Sequence, residues 1–185
     1  MIAILYLLHL YLLGCAAVFG TFIWATNGHF LQGTKTTATY LIYLFSVATF
    51  VFGAVSAFMN TPTPWQIGLG FLLSALGTAL FFWTIHTTRA RGFYLAYAKE
   101  YPTAFVNAGP YLLVRHPFYV AYLLFWLGML VAAPWWPTLG CLLILLYLYV
   151  VAARGEELKF EQSEFAEEYG RYKDSVGFMM PIPWR

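Results

Sequence analysis

The chain has 185 residues, of which 61% are hydrophobic and only 10% are charged. Soluble proteins contain roughly 45–50% hydrophobic and about 25% charged residues, so these few charges cannot coat a water-exposed surface. With a mean hydropathy of +0.67, the composition excludes a disordered chain, a disulfide scaffold and a free-standing soluble enzyme. A formal net charge of +2, spread over several segments, offers no track for nucleic acid. We therefore predict an all-α, polytopic integral membrane protein.

Three long segments carry no formally charged side chain and hold the predicted membrane spans. They are residues 1–34, 36–88 and 116–153. At about 20 residues per spanning helix, they predict one, two and two spans. In chain order these five spans are Ile2–Ala25, Ala38–Met59, Trp65–Thr87, Pro117–Ala133 and Pro137–Ala153. The last two form a helical hairpin, whose legs of about 17 residues are short for a hydrocarbon core of about 30 Å.

Basic residues indicate how the spans are oriented. If the N-terminus lies outside, the inner segments 26–37, 88–116 and 154–185 contain all ten Lys and Arg residues, and the outer turns contain none. The positive-inside rule then predicts an extracytoplasmic N-terminus and a cytoplasmic C-terminus and active site. Cys15 and Cys141 both fall within spans, so we expect no disulfide framework and no metal site.

Two segments outside the spans are expected to face the cytoplasm. In residues 89–105, cations interleave with aromatic side chains, which is typical of an interfacial connector. The tail, 154–185, holds seven of the eight acidic residues, and its apolar residues follow a helical spacing. That apolar stripe consists of Leu158, Phe165, Tyr169, Tyr172 and Val176. It predicts an amphipathic tail helix that ends near Gly177 and is followed by Pro181 and Pro183.

A cluster of ionisable residues is expected where the hairpin starts and ends. Arg115 and His116 precede the fourth span, whereas Arg154, Glu156 and Glu157 follow the fifth. Antiparallel helices joined by a short turn return to the same level, so these side chains should gather at one membrane boundary. Single charges there often do no more than end a span and reach the headgroups. The joint cluster predicts a functional site.

The start of the fourth span resembles a known family. Residues 109–119, which end in Arg-His-Pro-x-Tyr, are similar to the signature of integral membrane methyltransferases related to isoprenylcysteine carboxyl methyltransferase. Phosphatidylethanolamine methyltransferases are more distant relatives. The Glu-Glu pair at 156–157 and the Phe-Ala-Glu-Glu-Tyr sequence at 165–169 resemble the C-terminal pattern of the same family. The resemblance covers roughly residues 107–183.

The resemblance implies S-adenosylmethionine as the cofactor, bound by the loop before span four, the hairpin ends and the tail. The implied cofactor-binding residues are Tyr111, Leu113, Val114, Arg115, His116, Pro117, Tyr119, Glu156 and Glu157. Arg154 and Glu157 are the implied catalytic pair, because Arg154 is the basic residue nearest to the family's substrate-orienting arginine. A three-residue step keeps Arg154 and Glu157 on nearly the same helix face. His116 has an ordinary pKa near neutrality and could instead act as a general base.

The residue types also suit methyl transfer on physical grounds. A sulfonium donor needs no metal, but its acceptor must be desolvated and held in line with the methyl group at roughly 3–3.5 Å. A carboxylate beside the donor's ammonium and an arginine fork for an anionic acceptor are the expected polar groups. Tyr122, Phe125 and Trp126 on the fourth span either pack the bundle or shape a tunnel for the acceptor.

The predicted function is S-adenosylmethionine-dependent methyl transfer to a small lipophilic carboxylate, thiol or amine, isoprenylcysteine-like, that enters from the surrounding lipids. We expect one domain, 1–185, with N-terminal spans at 1–88 and the cofactor-binding, catalytic part at 89–185. One alternative is a non-catalytic subunit or a transporter-like protein on the same scaffold. A transporter should carry an ionisable residue at mid-bilayer, and His9 is the candidate. Another alternative is a reductase, since sterol reductases share a related C-terminal architecture.

Overall fold

The computed structural model describes residues 2–31, 34–60, 62–90, 97 and 99–181. In this part of the chain the regular secondary structure is entirely helical, beside isolated bridges such as the one between Val114 and Gly177. The helices are α1 (Ile2–Gly28), α2 (Thr37–Met59), α3 (Pro64–Thr88), α4 (Pro117–Ala132), α5 (Trp136–Glu161) and α6 (Ala166–Ser175). A short 3₁₀ helix, Gly109–Leu112, precedes α4. The predicted all-α class is confirmed.

Four helices, α1, α2, α3 and α5, are long and apolar enough to cross a membrane. The helix α4 is apolar too, but its 16 residues make only about 24 Å of helix, less than a hydrocarbon core of about 30 Å. These five helices correspond to the five predicted spans, including the short fourth one. The chain is therefore an integral membrane protein.

The helix α5 is longer than the predicted fifth span. It continues to Glu161 and does not stop at Ala153. Ser163 marks the break that follows, since its hydroxyl donates to the Phe160 carbonyl oxygen (2.8 Å) and accepts from the Phe165 N–H (3.2 Å). The span prediction was short because hydropathy marks where apolar sequence ends, and a helix can continue beyond that point into polar sequence.

The predicted tail helix is divided by the same break, so the tail prediction needs correction. Leu158 belongs to α5 and is exposed, and it does not join the apolar stripe. The stripe residues that are buried are Tyr169, Tyr172 and Val176. The helix α6 ends at Ser175, two residues before Gly177. Pro183 lies outside the described residues.

The helices α3 and α4 pack more closely than any other described pair, because glycines let their backbones meet. A Cβ atom on Gly70 would lie 2.6 Å from the Gly128 carbonyl oxygen. One on Gly77 would lie 2.6 Å from the Ala121 carbonyl oxygen. Small residues are a common means by which membrane helices approach each other. This contact fixes the start of α4 relative to the end of α3.

Four helix ends meet at one membrane face, which we call the site face. They are the end of α1, the start of α2, the end of α3 and the start of α4, at Gly28, Thr37, Thr88 and Pro117. His29 Nε2 lies 2.9 Å from the Thr88 hydroxyl and joins α1 to α3 there. At the opposite face, the Ser56 hydroxyl donates to the Ala133 carbonyl oxygen (3.0 Å) and joins α2 to the end of α4. Hydrogen bonds thus join helices of the bundle both at the site face and at the opposite face.

Candidate functional site

The site begins with the loop that leads into α4. Gly109 has a φ of 58°, a left-handed conformation that favours glycine, and a Cβ atom there would collide with the Thr87 side chain. The loop therefore rests directly on the end of α3. His116 is the N-cap residue of α4 and Pro117 its first residue, where a missing N–H costs no helical hydrogen bond.

Arg115 ties the start of α4 to the end of α5 and to the tail. Its Nε donates to Glu157 Oε1 at 2.7 Å. Its Nη1 donates to the carbonyl oxygens of Lys173 (2.9 Å) and Val176. The backbone N–H of Arg115 donates to the carbonyl oxygen of Gly177 (2.8 Å). The Arg115 and Glu157 side chains are both buried, and a buried pair needs such additional hydrogen bonds. These contacts hold three segments together as one unit.

The imidazole of His116 lies between two carboxylates. Its Nε2 is 3.4 Å from Glu157 Oε1, and its Nδ1 is 3.6 Å from Glu156 Oε2. Burial opposes protonation of the ring, but hydrogen bonds with Glu156 and Glu157 and their negative charges outweigh it. The pKa of His116 is therefore raised above its ordinary value. The arrangement favours an imidazolium that holds both carboxylates.

Tyrosines connect this cluster to the surrounding helices. The Tyr119 hydroxyl donates to Glu156 Oε1, and the Tyr119 ring stacks on Tyr149 with centroids 5.2 Å apart. From α6, the Tyr172 hydroxyl donates to the Tyr111 carbonyl oxygen at 2.7 Å. Burial, together with the Glu156 charge, raises the pKa of the Tyr111 hydroxyl, which stays neutral. The site thus combines a charged centre with neutral aromatic walls.

Arg154 lies at the edge of the cluster. Its Nη1 is 3.6 Å from Glu157 Oε2, and its side chain is 61% exposed. Its guanidinium carbon is 4.4 Å from the centroid of the Phe178 ring, within cation–π distance. The Phe178 ring in turn lies 5.0 Å from the His116 ring. Arg154 therefore contacts Glu157 and the tail.

A cavity of about 830 Å³ reaches from these residues into the bundle. The predicted site residues that line it are Tyr111, Arg115, His116, Pro117, Tyr119 and Glu156. The predicted residues outside its lining are Leu113, Val114, Arg154 and Glu157. Leu113 is half exposed, and Val114 is buried beside Gly177. Glu157 lies behind the lining, where it binds Arg115 and His116.

Below the site face the cavity is lined by aromatic side chains from four helices. They are Phe19, Phe22, Tyr43, Phe118, Tyr122, Trp126 and Tyr149. Ile23 of α1 and Val47 of α2 also line the cavity, and each is about half exposed. The cavity therefore reaches the outer surface of the bundle between α1 and α2. In a bilayer, that surface faces lipid.

The segment predicted to be an interfacial connector contributes to the lining, which the sequence did not indicate. Tyr97 and Glu100 both line the cavity. Glu100 Oε1 accepts hydrogen bonds from the backbone N–H and the hydroxyl of Thr34, both at 3.0 Å. Glu100 Oε2 is buried without a hydrogen-bond partner among the described residues. Glu100 is the only acidic residue before Glu156. A single acidic residue in so long a stretch is the sequence signal that could have indicated Glu100 as a site residue.

The chemistry of the site comes from carboxylates, cations and aromatic rings. In the described ranges, no group of three or more His, Cys, Asp or Glu side chains is placed to hold a metal ion. Cys15 and Cys141 are separate, buried free thiols. The groups available for binding are thus suited to an organic ligand with charged and aromatic parts.

The family match places this helical bundle among the integral membrane methyltransferases. The chain belongs to the phospholipid methyltransferase family, whose family model matches residues 65–169. This family includes the isoprenylcysteine carboxyl methyltransferases, so the resemblance seen in the sequence is confirmed. The match begins at α3, earlier than the motif region, and spans the site loop, α4, α5 and the first turn of α6. No curated protein matches the sequence.

Proposed function

We propose that this membrane methyltransferase transfers the methyl group of S-adenosylmethionine to a small lipophilic acceptor at the cytoplasmic membrane face. The acceptor is a carboxylate, a thiol or an amine on an apolar body, similar to an isoprenylcysteine. One observation carries the proposal: a continuous cavity joins the charged cluster at the site face to an aromatic interior that opens toward lipid. A polar donor and an apolar acceptor can therefore meet in it from different phases.

The residues at the site face fit the functional groups of the donor. Glu100 and Glu156 both line this end of the cavity, and carboxylates there can accept hydrogen bonds from an ammonium or from ribose hydroxyls. Lys159 lines the same end and suits the donor's carboxylate. Tyr111 offers an aromatic ring to an adenine. The Tyr119 ring stacks on both His116 and Tyr149, and its hydroxyl holds Glu156. When bound, S-adenosylmethionine supplies an electrophilic methyl group on its sulfonium.

The buried residues behind the lining hold these groups in place. We assign Arg154 and Glu157 to positioning, because neither lines the cavity. Glu157 binds Arg115 and His116, which do line it, and Arg154 contacts Glu157. Because its raised pKa favours the protonated ring, His116 is assigned to holding Glu156 and Glu157, and not to proton abstraction.

The opening between α1 and α2 suits an acceptor that arrives from the bilayer. Ile23 and Val47 border it and are about half exposed, so a membrane lipophile can pass between them without crossing water. The aromatic lining keeps water away from the reacting atoms, which strengthens the electrostatic contacts inside the site. Membrane lipids are thus both the surroundings and the source of the substrate.

The site face is assigned to the cytoplasm. In the five-span arrangement all ten basic residues fall in segments on that side, as the positive-inside rule requires, and the N-terminus then lies outside. We treat residues 1–185 as one domain, because both the N-terminal spans in 1–88 and the part 89–185 contribute side chains to the same cavity.

A transporter-like or other non-catalytic role on the same scaffold is the alternative. A transporter carries ionisable residues within the membrane that face the bundle interior. His9 is exposed on α1 and packs edge-on against Phe58, with ring centroids 5.6 Å apart. It lies outside the lining of the cavity. Methyl transfer is therefore the function that the cavity supports best.

The proposal is tested by methyl transfer from tritiated S-adenosylmethionine into a lipid extract of the expressing cells. We expect the detergent-purified protein to move label into the organic phase, and Glu156→Ala to abolish this transfer. Glu164→Ala, a change at an exposed residue beyond α5, should transfer label like the parent. Absence of label with the parent protein, or equal transfer by all three proteins, would contradict the proposal.

A further inference from the structure

An opening in the seam between α1 and α2 connects the cavity with the surrounding lipid. Both helices are long and apolar enough to cross a membrane, and the short segment 29–36 joins them, so they run antiparallel. Ile23 of α1 and Val47 of α2 line the cavity, and each is about half exposed. The seam is therefore open where these two side chains lie.

Two contacts across the seam bound this opening, which we call the lipid window. On the side away from the site face, the Phe19 ring stacks on the Phe50 ring with centroids 5.3 Å apart. On the side of the site face, the Tyr43 hydroxyl lies against the Thr26 side chain. The two contacts are seven residues apart on each helix, which corresponds to about 10 Å along the seam.

The height of the lipid window admits one hydrocarbon chain. Nonbonded carbon atoms approach each other to about 4 Å, so the side chains at the two edges leave roughly 6 Å of the seam open. A single extended chain is about 4 Å across and passes, whereas two chains side by side need about 8 Å.

The interior of the bundle beside the lipid window is packed. Phe125, Trp126 and Tyr149 are all buried, with at most 3% of each residue exposed. The Trp126 ring packs against Phe19 and Phe125, with centroids 5.4 and 4.9 Å apart. These side chains close the inner side of the cavity. A long apolar chain bound there can extend into water at the site face, which the hydrophobic effect opposes, or into lipid through the window.

The polarity of the lining changes along the same path. On the side of the site face the cavity is lined by Asn27, Lys35 and Thr39, whereas Ile23 and Val47 line it at the lipid window. A ligand that fits both parts has a polar head at the site face and an apolar chain at the window. Amphiphiles of the bilayer have this form.

We propose that the acceptor is a single-chain amphiphile, whose head group is held at the site face while its one hydrocarbon chain passes through the lipid window into the bilayer. This inference rests on the proposed function and specifies its substrate class. Because the far end of the chain stays in lipid, the protein does not select for chain length. Lipids with two chains on one glycerol are excluded, since both chains would have to share the window.

The variant Val47→Trp narrows the lipid window. The matched control is Val51→Trp, at an exposed position one turn further along α2 and outside the cavity lining. The acceptors are S-alkyl derivatives of N-acetylcysteine, alkanethiols and alkylamines, each with butyl, decyl, tetradecyl and octadecyl chains, and dipalmitoyl phosphatidylethanolamine. Transfer of label from tritiated S-adenosylmethionine is measured with the protein in lipid nanodiscs, at equal mole fractions of acceptor.

We expect the parent to methylate the decyl, tetradecyl and octadecyl acceptors of one head-group type at similar rates, and not to methylate the two-chain lipid. Val47→Trp should slow transfer to the octadecyl acceptor by about tenfold or more, because the added ring blocks the path of the chain. Ile23 lies five residues before the end of α1, about 7 Å along the helix. A butyl chain does not reach past that depth, so Val47→Trp should methylate the butyl acceptor like the parent, and Val51→Trp should match the parent throughout.

Four results would overturn the proposal. The first is a steep fall in rate from decyl to octadecyl acceptors, which would indicate an enclosed chain. The second is methylation of the two-chain lipid by the parent. The third is an effect of Val47→Trp that is absent, or that is equal for butyl and octadecyl acceptors. The last is an equal effect of Val47→Trp and Val51→Trp.

Titration of the same samples with S-adenosylhomocysteine separates this inference from the proposed function. If S-adenosylhomocysteine binds and the parent methylates none of the single-chain acceptors, the donor site stands and the acceptor class is wrong. If S-adenosylhomocysteine does not bind to the folded protein, the proposed function is wrong, and the acceptor class derived from it falls as well.

Discussion

Arg115 and Glu157, 42 positions apart in the sequence, form a buried ion pair of 2.7 Å across the two ends of the helical hairpin. The Glu157 carboxylate also contacts His116, and Lys173 Nζ of α6 lies 3.7 Å from it. One carboxylate therefore holds the start of α4, the end of α5 and α6 together. The shape of the site depends on this contact.

Replacing Arg115 by methionine should destabilise the fold. Breaking one side of a buried ion pair costs about 3–5 kcal/mol, because a charge is left buried without its partner. The control is Arg171→Met, which removes a pair with Glu167 in which both side chains are exposed, and which should leave stability nearly unchanged. Thermal unfolding in detergent compares the variants. Equal unfolding midpoints would show that the Arg115 pair does not hold the fold.

Protonation of His116 should stabilise the folded protein. Burial works against its charged form, but Glu156 and Glu157 raise the pKa of His116 in the folded state. The contribution of His116 to the free energy of unfolding is therefore complete below its pKa in the unfolded chain, about 6.5. This contribution is lost as the pH rises through the higher pKa of the folded state.

As the pH rises from the unfolded to the folded pKa of His116, the thermal unfolding midpoint should therefore decrease. The decrease should be steeper for the parent than for His116→Gln. His86→Gln, at an exposed position near the end of α3, should keep the parent's pH profile. The measurement is the unfolding midpoint from about pH 5.5 to 8.5. Parallel profiles for the parent and His116→Gln would exclude the charged ring as the source of the effect.

Gly128→Leu should separate α3 from α4. A Cβ atom on Gly128 would lie 2.6 Å from the Gly70 carbonyl oxygen, so a larger side chain forces the helices apart at a cost of roughly 1–3 kcal/mol or more. Because the Gly109 loop rests on α3, separating α3 from α4 also displaces this loop of the site. We therefore expect weaker binding of S-adenosylhomocysteine as well. The control is Gly140→Leu, which has open space around its Cβ position. Equal destabilisation by both changes would refute the packing explanation.

Tyr119→Phe should weaken donor binding without unfolding the protein. It removes the hydroxyl that donates to Glu156 and keeps the ring that stacks on Tyr149. We expect the affinity for S-adenosylhomocysteine to fall by about tenfold to a hundredfold, the value of one hydrogen bond to a charged group. Tyr147→Phe, at an exposed position of α5, is the matched control. An unchanged affinity for Tyr119→Phe would show that Glu156 binds the donor without this support.

The membrane architecture was predictable because charges cannot lie in hydrocarbon. The predicted spans Ala38–Met59 and Trp65–Thr87 agree with α2 and α3 to within one residue at each end. Both helices begin at a capping threonine, Thr36 and Thr63, next to apolar sequence. The end of α5 was not predictable in this way, since the apolar signal stops before the helix does.

The candidate site was predictable only where adjacent residues and hairpin topology determine it. The hairpin brings Arg115 and Glu157 together, as the positions of the two spans indicated. The cavity roles of Glu100 and Trp126 depend on contacts with distant segments, such as the hydrogen bonds of Glu100 with Thr34. No periodicity or motif in the sequence encodes such contacts, so they required the folded structure.

The most direct test of the donor site is calorimetric titration of the detergent-purified protein with S-adenosylhomocysteine. We expect binding at about micromolar concentration by the parent and by Glu164→Ala, and its loss in His116→Ala and Glu156→Ala. Thermal unfolding of each sample confirms that the variants are folded. No binding by the folded parent, or equal binding by all four proteins, would contradict the assignment of this cavity as the methyl-donor site.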